Sequence, residues 1–182
     1  MVTGPYDGRP AEQRLPEENA CYDFLDSLPV AYRRVDHDPA FTIADCHQVE
    51  KALGAPIAKN LFLCTRQRDR FFLLVMPGDK VFKTKYLSGQ LQCSRLSFAP
   101  AEDLQRLLGV QPGSASLLGL LFDRDRQVEL VIDRALLAGA AIGLHPCRNT
   151  STLAIAGPDL FGRVIPALGR EPKLVALPED PR

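Results

Sequence analysis

The 182-residue sequence contains no tryptophan, only two methionines and three histidines, and no excess charge: 22 Lys plus Arg stand against 22 Asp plus Glu. That balance excludes a protein that coats nucleic acid with a general basic surface, so any contact with a polyanion has to be local. No apolar run approaches the ~20 residues needed to span a bilayer. The first ten residues have neither a basic start nor an apolar segment, so no signal peptide is expected there. Cys21, Cys46, Cys64, Cys93 and Cys147 are odd in number, scattered, and form no Cys-x-x-Cys pair. A disulfide scaffold is thereby excluded, and a cytoplasmic location is the simplest expectation. Also missing are the Gly-x-Ser-x-Gly elbow, the P-loop, the dinucleotide fingerprint and His-Glu-x-x-His. The sequence thus points to no cofactor. It leaves a catalyst that works by positioning and hydrogen bonds, or no catalyst.

What is present suits one globular domain: 46% of residues are hydrophobic and 24% charged. Residues 1–16 are rich in Pro, Gly and charge without a hydrophobic period, and are expected to be a loose leader to a domain over 17–182. Helical spacing over 17–28 ends at Pro29, and alternation over 30–35 predicts a strand. A helix is expected over 42–53, closed by Gly54. Apolar runs over 60–64 and 71–76 flank the charged tip 66–70 and predict an antiparallel hairpin. Further helices are expected over 82–91, 100–109 and 158–168. Strands are expected over 95–98, 114–122, 128–132, 152–155 and 174–177, with 114–122 paired to 128–132. The fold class expected is α+β: one curved, mainly antiparallel sheet flanked by helices.

Four stretches offer chemistry. Lys59 and Asn60 directly precede an apolar strand, where alternation turns one of them inward; they are either a solvated strand start or a cation and an amide at a pocket rim, suited to a phosphate or an oxyanion. His145-Pro146-Cys147 lies in an irregular loop and is a surface turn or part of a site. A metal site built from His145, Cys147, Cys46 and His47 lacks the paired spacing of zinc ligands, so no metal is expected. Gly113-Ser114-Ala115-Ser116 is a plain turn, or a pocket floor where backbone N–H groups meet a ligand. Arg66, Arg68, Arg70, Lys80, Lys83, Lys85 and Arg95 form a basic segment able to orient a polyanion.

In order and spacing, Lys59-Asn60-Leu61-Phe62-Leu63, Arg95–Ala99 leading to Glu102 and Leu107-Leu108-Gly109, Pro112-Gly113-Ser114, Val131-Ile132-Asp133, and His145-Pro146 with Asn149-Thr150 resemble the free-standing prolyl-tRNA editing proteins of the YbaK/ProX-like aminoacyl-tRNA deacylases. The resemblance spans about residues 18–178. It implies an editing-domain fold and hydrolysis of mischarged tRNA, above all alanyl-tRNA(Pro), without metal or cofactor. Lys59, His145, Gly113 and Ser114 are the implied catalytic residues, and Asn60, Ala115, Asn149 and Thr150 the implied substrate-binding ones. Lys59 would hold the phosphate or ester end, and the Gly113–Ser114 loop would position the carbonyl and the water. The implied partners are the tRNA acceptor end and prolyl-tRNA synthetase. The sequence departs from the family where Gly-x-x-x-Pro becomes Gly113-x-x-x-Leu117. This leaves open a preference for another small residue, serine or cysteine, and a non-catalytic tRNA- or synthetase-binding module.

Overall fold

The computed structural model describes residues 1–40 and 42–179. Local chemistry accounts for the clearest helices. Helix α1 is Pro16–Asp26, with proline in its first turn. Helix α2 (Ile43–Leu53) opens with a reciprocal capping box between Thr42 and Asp45 and closes on Gly54 at φ 73°. Helix α3 is Thr84–Leu91, and α4 (Ala101–Leu108) ends on Gly109 at φ 65°. The last helix is continuous through Gly157–Asp159, a π turn at Leu160–Val164, and Ile165–Ala167.

The strands are β1 (Val2–Asp7), β2 (Tyr32–His37), β3 (Ala58–Thr65), β4 (Phe71–Pro77), β5 (Leu96–Phe98), β6 (Val128–Asp133), β7 (Ala141–Leu144), β8 (Ser151–Ala156) and β9 (Lys173–Val175). The class is α+β and mainly antiparallel, and the strands divide into two sheets, β1-β2-β8-β7 and β5-β3-β4-β6-β9. The hairpin β3–β4 pairs Asn60 with Val75 and Phe62 with Leu73. Alternation then sends Phe62 and Cys64 into the main core between the sheets, which α1, α4 and the last helix help to close. Leu61 and Leu63 go to the opposite face, under α3. Helix α2 covers the outer face of the first sheet through Val49 and Leu53.

Three expectations give way. Residues 1–16 include strand β1, which pairs antiparallel with β2 through Thr3–Asp36 and Tyr6–Arg34. The pairing is made by backbone while most side chains stay exposed, so no hydrophobic period announces it. Residues 114–122 are not a strand: Leu117–Leu121 is a 3-10 helix, because Ser116 Oγ accepts the Leu118 N–H at 3.2 Å. An unbroken apolar run has no period to separate the two forms. Consequently β6 pairs not with that segment but in parallel with β4 and β9. Strand β7, unforeseen, is only four residues long and has a glycine inside it.

Candidate functional site

The two sheets meet at a seam. Gly143 N–H in β7 donates to Pro56 O at 2.7 Å, and Ile57 bridges Gly143. A Cβ on Gly143 would lie 3.0 Å from both Ile57 Cα and Pro56 O, so a larger residue would push the two backbones apart by a few tenths of an ångström. Beside the seam opens a hollow of about 990 Å³, within the range of small-ligand sites. Its walls come from α2 (Cys46, His47, Glu50), the start of β3, the 77–81 loop, the Gly113–Ala115 loop, and Ala141–Ile142 with His145. Lys59, Asn60, Gly113, Ala115 and His145 all line it.

Lys59 and Asn60 leave β3 on opposite faces, and each is committed locally. Lys59 Nζ donates to Lys80 O at 2.8 Å, which leaves two ammonium protons for other acceptors. The 77–81 loop carrying that carbonyl is itself anchored: Lys80 Nζ reaches Asp133 Oδ2 and Leu177 O, both at 2.7 Å. Asp133 Oδ1 in turn accepts the Ala135 N–H, capping the short 3-10 helix Arg134–Ala138 beside the hollow. Asn60 Oδ1 accepts the Leu117 N–H at 2.8 Å and so fixes the end of the small-residue loop. Gly113 gives that loop its left-handed turn at φ 84°.

The loop is also stapled to the segment bearing His145. Ser116 Oγ donates to His145 O at 2.5 Å, and Ser114 Oγ accepts the Asn149 N–H at 3.2 Å. His145 Nδ1 lies 2.9 Å from Ser151 O; a carbonyl only accepts, so the proton sits on Nδ1 and Nε2 is the ring's acceptor. Thr152 Oγ1 lies 3.3 Å from the same Nδ1 and 2.8 Å from His37 Nε2. Burial lowers the His145 pKa, the bond to Ser151 works against that, and His37 lowers it further, so the imidazole is neutral near pH 7.

Three expected site residues lie behind the surface of the hollow. Ser114 is buried in its bond to Asn149. Asn149 spends its amide on Ala40, with Oδ1 3.3 Å from Ala40 N and Nδ2 3.0 Å from Ala40 O. Thr150 contributes its carbonyl to His37 N–H at 2.9 Å, prolonging the β2–β8 pairing. Cys147 is buried against Cys21, Sγ to Sγ 3.5 Å, away from Cys46 and His47. Among the described residues no three His, Cys, Asp or Glu side chains gather to hold a metal ion. None of the described helices is long and apolar enough to cross a membrane.

The sequence reading missed Glu50, Lys80 and Asp133 as builders of this site. Glu50 Oε1 accepts the Ile57 N–H at 2.9 Å and holds the seam edge of the rim. Its only sequence signal is a carboxylate near the end of an amphipathic helix, too common to single out. Lys80 was visible only as one member of a basic segment.

The chain is similar to known proteins in sequence and in fold. The aminoacyl-tRNA editing domain model matches residues 37–162. The prolyl-tRNA editing protein ProX of Acetoanaerobium sticklandii is 31% identical over 153 residues, covering 84% of this chain and 93% of that protein. The prolyl-tRNA synthetase associated domain-containing protein 1 of Danio rerio is 31% identical over 141 residues, 76% of each chain. A solved structure proposed to be a trans-editing enzyme for prolyl tRNA synthetase superposes with a TM-score of 0.68 at 15% identity, covering 92% of this chain and all of the other, a likeness of fold. On these matches the chain belongs to the aminoacyl-tRNA editing domain family.

Proposed function

We propose that the protein is a trans-acting deacylase, a carboxylic ester hydrolase that removes alanine from alanyl-tRNA(Pro) in the cytoplasm. The observation that carries this is the convergence of Lys59, Asn60, Gly113, Ala115 and His145 on one hollow. The need for such an enzyme is physical: a synthetase pocket shaped for proline rejects a smaller residue by only about 1–3 kcal/mol, so a second, tighter site must complete the selection.

In this reading the aminoacyl group lies against Gly113 and Ala115, where the absence of bulk admits alanine and a ring as wide as proline meets the wall. The Lys59 ammonium, tethered at Lys80 O, turns its remaining protons to the terminal phosphate or the ester oxygen. Water adds to the ester carbonyl, the tetrahedral oxyanion collapses, and the C–O bond to the ribose breaks. The departing ribose oxygen receives the proton that the water gives up and leaves as a hydroxyl. The neighbouring ribose hydroxyl of the substrate assists the water, and the neutral His145 orients these groups through its Nε2 acceptor. Ser114, Asn149 and Thr150 act behind the surface by holding the two loops in register. The protein names of the relatives support prolyl-tRNA synthetase as a partner that delivers the mischarged tRNA.

One observation favours a second specificity. Where the family pattern has proline, Leu117 supplies the N–H that Asn60 accepts, a bond proline cannot make. The loop is therefore fixed by a different contact, and serine or cysteine esters become candidate substrates. The test is a panel of alanyl-, seryl-, cysteinyl- and prolyl-tRNA. Turnover of alanyl-tRNA(Pro) with prolyl-tRNA(Pro) left intact is expected. Lys59→Ala should lower kcat/KM about 10- to 100-fold, the scale of one charge-assisted hydrogen bond, without changing the circular dichroism spectrum. Release of no amino acid from any member would refute the deacylase.

A further inference from the structure

Beside the hollow, the α3 face of the second sheet ends in a feature that core packing does not explain. Phe98, on the edge strand β5, is 63% exposed. Its ring meets that of Phe82 edge-on, with centroids 6.4 Å apart. Register sets Phe98 opposite Leu63, hence on the face where Leu61 packs with Phe82 and Tyr86. Leu61 and the exposed Val81 both line the hollow, so the aromatic pair runs on from its lip. A single exposed Phe is ordinary; an apolar aromatic surface contiguous with a ligand hollow marks an interaction site. The charge in the sequence leading to it is mostly positive. From Gly78 to Phe98 the sequence has four cations, Lys80, Lys83, Lys85 and Arg95, against the single acid Asp79. Lys80 pairs with Asp133, and the side chains of Lys83, Lys85 and Arg95 are exposed.

We propose that Phe98, braced by Phe82, is a stacking platform for an unpaired nucleotide of the tRNA 3′ end on its way into the hollow. The exposed Lys85 and Arg95 supply the positive charge that meets its phosphates. This rests on the deacylase reading and adds the part of the substrate bound outside the hollow. The chemistry suits single-stranded RNA: an aromatic ring takes any base by its face, and neighbouring cations follow the backbone. It also answers how a protein without net charge holds a polyanion, since the grip is confined to one lip.

The test compares kcat/KM for two alanyl esters, an RNA minihelix with its full single-stranded 3′ end and 3′-O-alanyl-adenosine, which lacks the upstream nucleotides. Phe98→Ala should lower the ratio of minihelix to nucleoside about five- to hundredfold, chiefly through KM, the range of one lost stacking contact. Phe98→Tyr, which keeps the ring, should restore it. An unchanged ratio in Phe98→Ala, with the unsubstituted protein cleaving both esters, would overturn the platform and leave the deacylase standing. An effect seen only when prolyl-tRNA synthetase is added would reassign the patch to a protein contact and overturn it as well. Cleavage of neither ester by the unsubstituted protein would instead remove the reading on which the platform rests.

Discussion

Replacing Lys80 with Met tests whether the wall of the hollow depends on a buried charge pair. The Lys80 side chain is 10% exposed and that of Asp133 1%, at an N–O separation of 2.7 Å. Without the ammonium, Asp133 retains only the Ala135 N–H among these partners, and a buried carboxylate is left uncompensated. Breaking such a pair from one side costs about 3–5 kcal/mol, whereas removing both charges is close to neutral. For a chain of this length each kcal/mol moves the midpoint by about 2–4 °C, so Lys80→Met should melt about 6–20 °C lower. The double variant Lys80→Met/Asp133→Asn keeps an acceptor for Ala135 and should recover most of that loss. Thermal and urea unfolding followed by circular dichroism measure both. A single variant within about 1 kcal/mol of the parent, or a double variant no more stable than Lys80→Met, would refute the reasoning.

Asn60→Ala should cost about 1–3 kcal/mol, because it strands the N–H of the fully buried Leu117; Asn60→Asp, which keeps an acceptor, should cost less in the same urea titration. The depressed pKa of His145 makes stability pH-dependent in a defined direction. Below the unfolded value of about 6.5 the unfolded chain takes up a proton before the folded one does. The His145 contribution is therefore complete above that pH and is lost as pH falls toward the folded value. Urea midpoints between pH 5 and 7.5 should fall on acidification, less steeply in His145→Gln; an equal slope in both proteins would contradict the assignment.

Much of the frame was legible because its signals are local. Thr42, Asp45 and Gly54 mark α2 from end to end, Pro100 and Gly109 bracket α4, and the apolar runs around Arg66–Arg70 give the β3–β4 hairpin. Lys59 and Asn60 were legible for the same reason, being adjacent at a strand mouth where alternation must turn one inward. His145 stood out because few histidines compete with it. The rest depends on contacts between residues far apart in sequence. Lys80 and Asp133 are separated by 53 positions and Asn60 and Leu117 by 57, with no periodicity to link them. Family resemblance alone points to Asn149 and Thr150 as site residues, while their hydrogen bonds brace the Ala40 and His37 backbones. The 3-10 form of Leu117–Leu121 is not legible because its cap is a single serine hydroxyl at the start of an aperiodic apolar run.

The position of the hollow beside the Gly143–Ile57 contact has a consequence for selectivity. Its jaws belong to two sheet frameworks joined here through the Gly143 contact, so its width follows from how far apart the interior keeps them. Sliding one framework along the other by a fraction of an ångström would retune the slot with every lining side chain unaltered. On the proposed deacylase reading, discrimination between two small amino acids is then a calibration held by residues such as Leu144, Leu153 and Phe62, deep between the frameworks. On that reading, trimming a methyl group there should shift which ester fits as much as a change in the jaw itself.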